Sequence, residues 1–138
     1  MKWLKRIGLG LAVAVMAIGA YAAWNVYGTW PVPERYAFPR HSMWGSGPAA
    51  LFEGTLEEID GCILTSGTQR FTVVWPPGYS LAIAGGEPVV HGGPREVRMG
   101  EPVRMGGGYY ESGDPPPTTI TAGSCPPPYF LSTGIEDG

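Results

Sequence analysis

Few residues in this sequence carry reactive chemistry. There are two cysteines, Cys62 and Cys125, and two histidines, His41 and His91. Metal sites need several His, Cys or carboxylate ligands converging. The cysteines are too far apart for a CxxC redox or zinc motif. His41 lies in a Pro-rich stretch and His91 beside a turn, so both read as exposed loop histidines. A nucleophilic serine needs a base and an orienting acid. No Gly-x-Ser-x-Gly is present, and Gly45-Ser46-Gly47 lacks the flanking spacing. Glu53, Glu57, Glu58 and Asp60 cluster, but adjacent Glu57 and Glu58 on a strand point to opposite faces and form no hydrolytic dyad. They read as a solvated hairpin end. Gly106-Gly107-Gly108 is not followed by Lys-Ser/Thr and a helix, so it is no phosphate loop. A bulge or a close strand approach in a small barrel explains it better. These residues imply no catalytic site, no cofactor and no metal, and the chain reads as leaning away from an enzyme.

What remains is recognition. Arg95, Arg98 and Arg104 fall close together, and Tyr109 and Tyr110 follow the glycine tract. They are expected to form a binding face on one side of a β domain. With Tyr79, Tyr129 and Trp75 the tyrosines would offer a stacking surface for sugars or peptides. The plainer expectation puts Trp75 and Phe130 in the core and leaves the tyrosines half-buried.

The elements that must position these residues are short. The chain has 138 residues, room for one small domain, and holds 22 Gly and 15 Pro. Hydrophobic residues make up 43% and charged residues 15%, so charge-driven disorder is not expected. Lys2, Lys5 and Arg6 hold three of the nine basic residues, which leaves six arginines against twelve acidic residues beyond residue 22, a net charge of −6. Such a body repels phosphate backbones, so no nucleic acid is expected as a partner.

The positive head precedes an uncharged run that starts at Ile7, covers 18 residues to Trp24, and continues to Pro33. This is the layout of an export signal with its N-terminus in the cytoplasm. Ala20-Tyr21-Ala22 fits a signal-peptidase site before Ala23, which would release a secreted protein. Trp3, Tyr21, Trp24, Tyr27 and Trp30 instead resemble interface anchors of an uncleaved, single-pass helix in the cell membrane. Either way the body is expected outside the cytoplasm. There a cysteine pair defaults to a disulfide, two free buried thiols being the alternative.

Three regions follow: 1–24 as signal peptide or anchor, 25–49 as a Pro- and aromatic-rich linker, and 50–138 as the domain. Trp30, Tyr36, Phe38 and Trp44 are bulkier than a spacer needs, so some are expected on the domain or at the membrane surface. Strands are expected at Leu51–Ile59, Cys62–Thr65 after an Asp60-Gly61 turn, Arg70–Trp75, Tyr79–Ala84, Glu87–His91, Arg95–Met99, Val103–Met105 and Tyr129–Thr133. Asp114–Pro117 is expected to break the chain. Short, closely spaced strands point to an all-β fold: a small OB-like β-barrel preceded by one N-terminal hydrophobic helix. The echo of Val97-Arg98-Met99-Gly100 in Val103-Arg104-Met105-Gly106 is too short for a solenoid.

Gly54-Thr55-Leu56, Asp60-Gly61-Cys62-Ile63, Trp75-Pro76-Pro77-Gly78, Gly106-Gly107-Gly108 and Cys125-Pro126-Pro127-Pro128-Tyr129 occur in that order. In this the chain resembles a group of small exported bacterial proteins with a GTL…DGCL…WPPG…GGG…CPxPY pattern and no assigned function. The resemblance covers most of residues 54–134. It implies an exported location, a Cys62–Cys125 pairing and a small β domain, and no activity. Membrane-anchored haem chaperones share the helix-plus-barrel layout, but neither histidine here stands in their HxxxY motif. The function expected is a non-enzymatic, membrane-anchored β-barrel module that binds an envelope protein or glycan. An accessory subunit of a membrane complex and a secreted hydrolase with an unrecognised site are the alternatives.

Overall fold

The computed structural model describes residues 2–27, 32–33, 35–42, 49–92, 95–111, 119–121 and 125–136, with side chains described in the helix for residues 10–23. Trp30, Trp44, Gly45-Ser46-Gly47 and the break at Asp114–Pro117 lie outside the described residues, as do the side chains of Lys2, Trp3, Lys5, Arg6, Trp24 and Tyr27. The elements are α1 (Lys2–Tyr27), β1 (Arg40–His41), β2 (Ala50–Ile59), β3 (Cys62–Thr65), β4 (Thr72–Val74), β5 (Tyr79–Ala84), β6 (Glu87–Gly92), β7 (Arg95–Arg98), β8 (Pro102–Tyr110), β9 (Thr119–Thr121) and β10 (Tyr129–Ile135). Among the described residues no helix is long and apolar enough to cross a membrane.

The domain is all-β and closes into a five-stranded barrel in the order β10-β4-β3-β2-β8. β10 lies parallel to β4, and every other neighbour in the ring is antiparallel. Asp60 (φ 51°) and Gly61 (φ 82°) make the tight turn that sets the β2–β3 register. β8 closes the ring by pairing with β2 through Pro102–Gly107 and with β10 through Met105–Tyr110. The strand thus runs past Met105 and through all three glycines. A Cβ on Gly107 would stand 2.1 Å from the Leu131 carbonyl and 2.9 Å from the Phe130 ring, so the close approach of β10 requires glycine there.

Two further sheets complete the domain. β5, β6 and β7 form an antiparallel meander whose Leu81, Val90 and Val97 join the barrel core of Phe52, Leu56 and Met105. β1 pairs with β9. Part of the stretch read as linker is built into the barrel. Ala37 bonds to the Gly61 carbonyl at 2.9 Å, the Trp75 amide to the Pro39 carbonyl at 2.9 Å, and the His41 amide to the Trp75 carbonyl at 2.9 Å. Tyr36 and Phe38 are buried in the main core cluster. The chain from Arg35 to His41 therefore runs from the β2–β3 turn to the end of β4. These residues behave as a barrel component rather than a spacer.

Candidate functional site

The disulfide between Cys62 and Cys125 is present, with Cα atoms 5.7 Å apart. Cys62 and Leu64 alternate with inward-facing Ile63, so they lie on the outer face of β3. There they are buried against Cys125 and Ala37 rather than exposed. The covering segment is held further by the Thr72 hydroxyl, which donates to the Pro126 carbonyl at 2.6 Å, and the Tyr129 hydroxyl, which donates to Cys125 O at 3.0 Å. The outer surface of β3 is thus closed by the Cys125–Pro128 segment.

Among the described residues, two clefts are prominent. The first, about 780 Å³, lies between the β2–β3 hairpin, the β5–β6 turn and Arg35–Tyr36. Glu57, Glu58, Asp60 and Glu87 stand on its rim over Leu56 and Met99. Part of this acidity is already engaged. Glu57 is ion-paired with Arg70, and the Glu58 carboxylate accepts the Gly61 amide at 2.6 Å, capping its own turn. The Arg35 guanidinium donates to the Tyr36 hydroxyl at 2.8 Å and lies over the same ring.

The second cleft, about 650 Å³, lies between β7, the outer side of β2 and β8, and the end of β10. Val97, Val103 and Ile135 contribute its apolar part, and Glu53, Glu96, Glu101, Glu136, Arg95 and Arg104 its charges. Arg104 reaches Glu53 at 3.0 Å, its cross-strand partner, and Glu136 at 3.8 Å. Arg95 donates to the Glu136 carbonyl at 3.4 Å. These are exposed pairs, each contributing at most about 1 kcal/mol to stability.

The expected face of Arg95, Arg98, Arg104, Tyr109 and Tyr110 is divided. Arg95 and Arg104 converge on the second cleft, whereas Arg98 is paired with Glu96 at 2.9 Å. Tyr109 packs edge-on against buried Phe71 and Phe130, at 4.8 and 4.9 Å, and remains 44% exposed at the end of the barrel. Tyr110, one residue on, takes the opposite face of β8 and is half-buried. Five residues of extended strand place Tyr109 about 16 Å from Arg104. The aromatic platform does not form either. Trp75 is fully buried between Phe38 and Tyr79, at 5.5 and 5.6 Å, while Tyr129 and Phe130 are core.

His41 is a correction: it is 1% exposed, not a surface loop residue. Its Nε2 lies 2.6 Å from the Ser132 carbonyl. Burial pulls its pKa below the ordinary histidine value, and that hydrogen bond partly opposes the shift. His91 is half-buried in β6. Nothing local in Pro39-Arg40-His41-Ser42 announces this burial, which comes from pairing with Trp75. Among the described residues, no three His, Cys, Asp or Glu side chains converge as a metal group. Comparison with family models, with curated proteins and with solved structures gives no match.

Proposed function

We propose that this protein is an exported, membrane-anchored binding module. α1 serves as the anchor, and an OB-like barrel is presented on the outer side. The OB-like reading is supported by a five-stranded ring in which the last strand returns parallel to the third and completes a Greek-key closure. The positive head Lys2, Lys5 and Arg6 before the long uncharged run supports the anchor, the alternative being release before Ala23. The resemblance to small exported bacterial proteins agrees with this location.

One observation carries the reading. In OB barrels the face of the second and third strands is the usual ligand platform. Here the outer face of the second barrel strand, β3, is sealed beneath Cys125, and the disulfide that seals it belongs to an oxidising compartment. Among the described residues, the two clefts offer open concave surface instead. Their charges are only partly paired, Glu57 with Arg70 and Glu53 with Arg104, which leaves acidic side chains on exposed rims of the kind recognition surfaces use. An envelope protein or glycan is the class of partner that fits.

The test is topological. A phosphatase active only outside the cytoplasm is fused after Gly138, and cells are fractionated. Active fusion in the membrane fraction supports the reading. Inactive fusion in the cytosol overturns it. If α1 only anchors, replacing residues 1–34 by an unrelated single-pass anchor leaves the barrel's cross-linked partners unchanged. Their loss would favour an accessory subunit that binds through its helix.

A further inference from the structure

The edge of β7 faces the second cleft with unspent backbone groups. The β5–β6 hairpin turns through Gly85 and Gly86, both at positive φ (61° and 81°). A two-residue turn of this kind makes Ala84 and Glu87 a hydrogen-bonded pair, and the pattern alternates from there. Val89 and His91, opposite Ala82 and Ser80, direct their amides and carbonyls to β5. Val90 and Gly92 direct theirs to β7, where they face Val97 and Arg95. Glu96 and Arg98 must then point their backbone groups away from the sheet. Arg98 agrees: its amide donates to the Glu101 carboxylate at 3.2 Å, and its carbonyl accepts the Glu101 amide at 3.2 Å. For the Glu96 amide and carbonyl, no hydrogen bond is present among the described residues.

We infer that the second cleft is a docking groove for an extended, basic polypeptide segment, which adds a strand to β7 at Glu96. An unpaired edge beside a groove is the geometry of strand addition. The backbone bonds at Glu96 set the register, and half-buried Ile135, beside the buried Val97 and Val103, receives an apolar side chain. The rim decides the charge of the segment. Four glutamates, Glu53, Glu96, Glu101 and Glu136, face Arg95 and Arg104 in the cleft and Arg98, which pairs with Glu96, so one acidic charge is in excess, which favours lysine or arginine side chains and opposes acidic ones. β7 is only four residues long, and Glu101 already caps Arg98. Self-association along this edge is thereby discouraged, while Glu96 stays open. The inference deepens the binding-module reading by naming the class of partner and the site.

The test uses the full chain in detergent micelles and a synthetic probe. The probe is a capped nonapeptide alternating lysine with valine and threonine, and its comparator carries glutamate in place of lysine. Amide hydrogen exchange is read residue by residue. The expected result is that the lysine peptide slows exchange at the Glu96 amide about tenfold at about 1 mM, with no such effect from the glutamate peptide. Glu96→Pro removes the outward amide together with the carboxylate that pairs with Arg98, leaves the β6 pairing of Arg95 and Val97 intact, and is expected to weaken binding about tenfold. Glu96→Ala keeps the backbone bond and loses less. Unchanged exchange at Glu96, equal effects of both peptides, or full binding by Glu96→Pro overturns the proposal. If Glu96→Pro does not fold, the exchange of the native Glu96 amide decides. Failure here leaves the exported-module reading standing, because that reading rests on where the fusion is found.

Discussion

Phe38 lies flat on Trp75, with ring centroids 5.5 Å apart and planes 11° from parallel. The first ring belongs to the stretch between helix and barrel, and the second ends the third barrel strand. The barrel core is therefore completed from outside the strands that form the ring. Phe38→Ala removes a buried ring from that stack and is expected to cost about 3–5 kcal/mol. Urea unfolding of the full chain checks this. A chain starting at residue 50 is expected to lack a cooperative transition altogether.

Gly61 is the other fixing point of the same stretch. A Cβ there would stand 2.1 Å from the Arg35 carbonyl, at a φ of +82° that favours glycine. Gly61→Ala is expected to destabilise by on the order of 1–3 kcal/mol. Faster exchange of the Ala37 amide, whose bond to Gly61 O would be strained, is the specific sign. A thermal midpoint equal to the native one would contradict the close approach.

The disulfide closes a loop between positions 63 residues apart. Replacing both cysteines by serine is expected to cost about 4 kcal/mol, chiefly by loosening the unfolded chain. It should also uncover Leu64, which is buried beneath Cys125. Increased binding of a hydrophobic dye at native temperature measures that exposure. A double variant as stable as the native chain would remove the staple from the account.

Acid should weaken the fold through His41. Its folded pKa lies below the ordinary value of about 6.5, so the unfolded chain binds the proton more readily. The stability it contributes is present above about pH 6.5 and is lost as pH falls through the folded pKa. Denaturant midpoints followed from neutral pH downward are expected to fall, and His41→Gln should flatten that slope. An unchanged slope in the variant would assign the acid sensitivity elsewhere.

The hairpins were readable from local chemistry. Asp60-Gly61 and Gly85-Gly86 are turn signals, and Cys62–Thr65 and Tyr79–Ala84 are strands with the expected bounds. β1 and β9 were not, because strands of two and three residues carry no periodicity and exist through their pairing with each other. The run of β8 past Met105 was hidden by glycines that ordinarily mark a turn and here admit β10. The disposition of the arginines was partly legible. That Arg95 and Arg104 share a cleft depends on how β7 packs beside β8, which composition does not encode. That Tyr109 and Tyr110 face opposite ways follows from strand alternation alone.

The barrel is stapled between Cys62 and Cys125, as its proposed export to an oxidising compartment requires. Intact mass of the protein from native membranes, with and without reductant, tests it directly. The predicted result is the full-length mass in the membrane fraction, rising by two hydrogens on reduction. A mass beginning at Ala23 in the medium would replace the anchor by a cleaved signal while keeping the staple. Two free thiols before reduction, in protein recovered from the cytosol, would contradict the account.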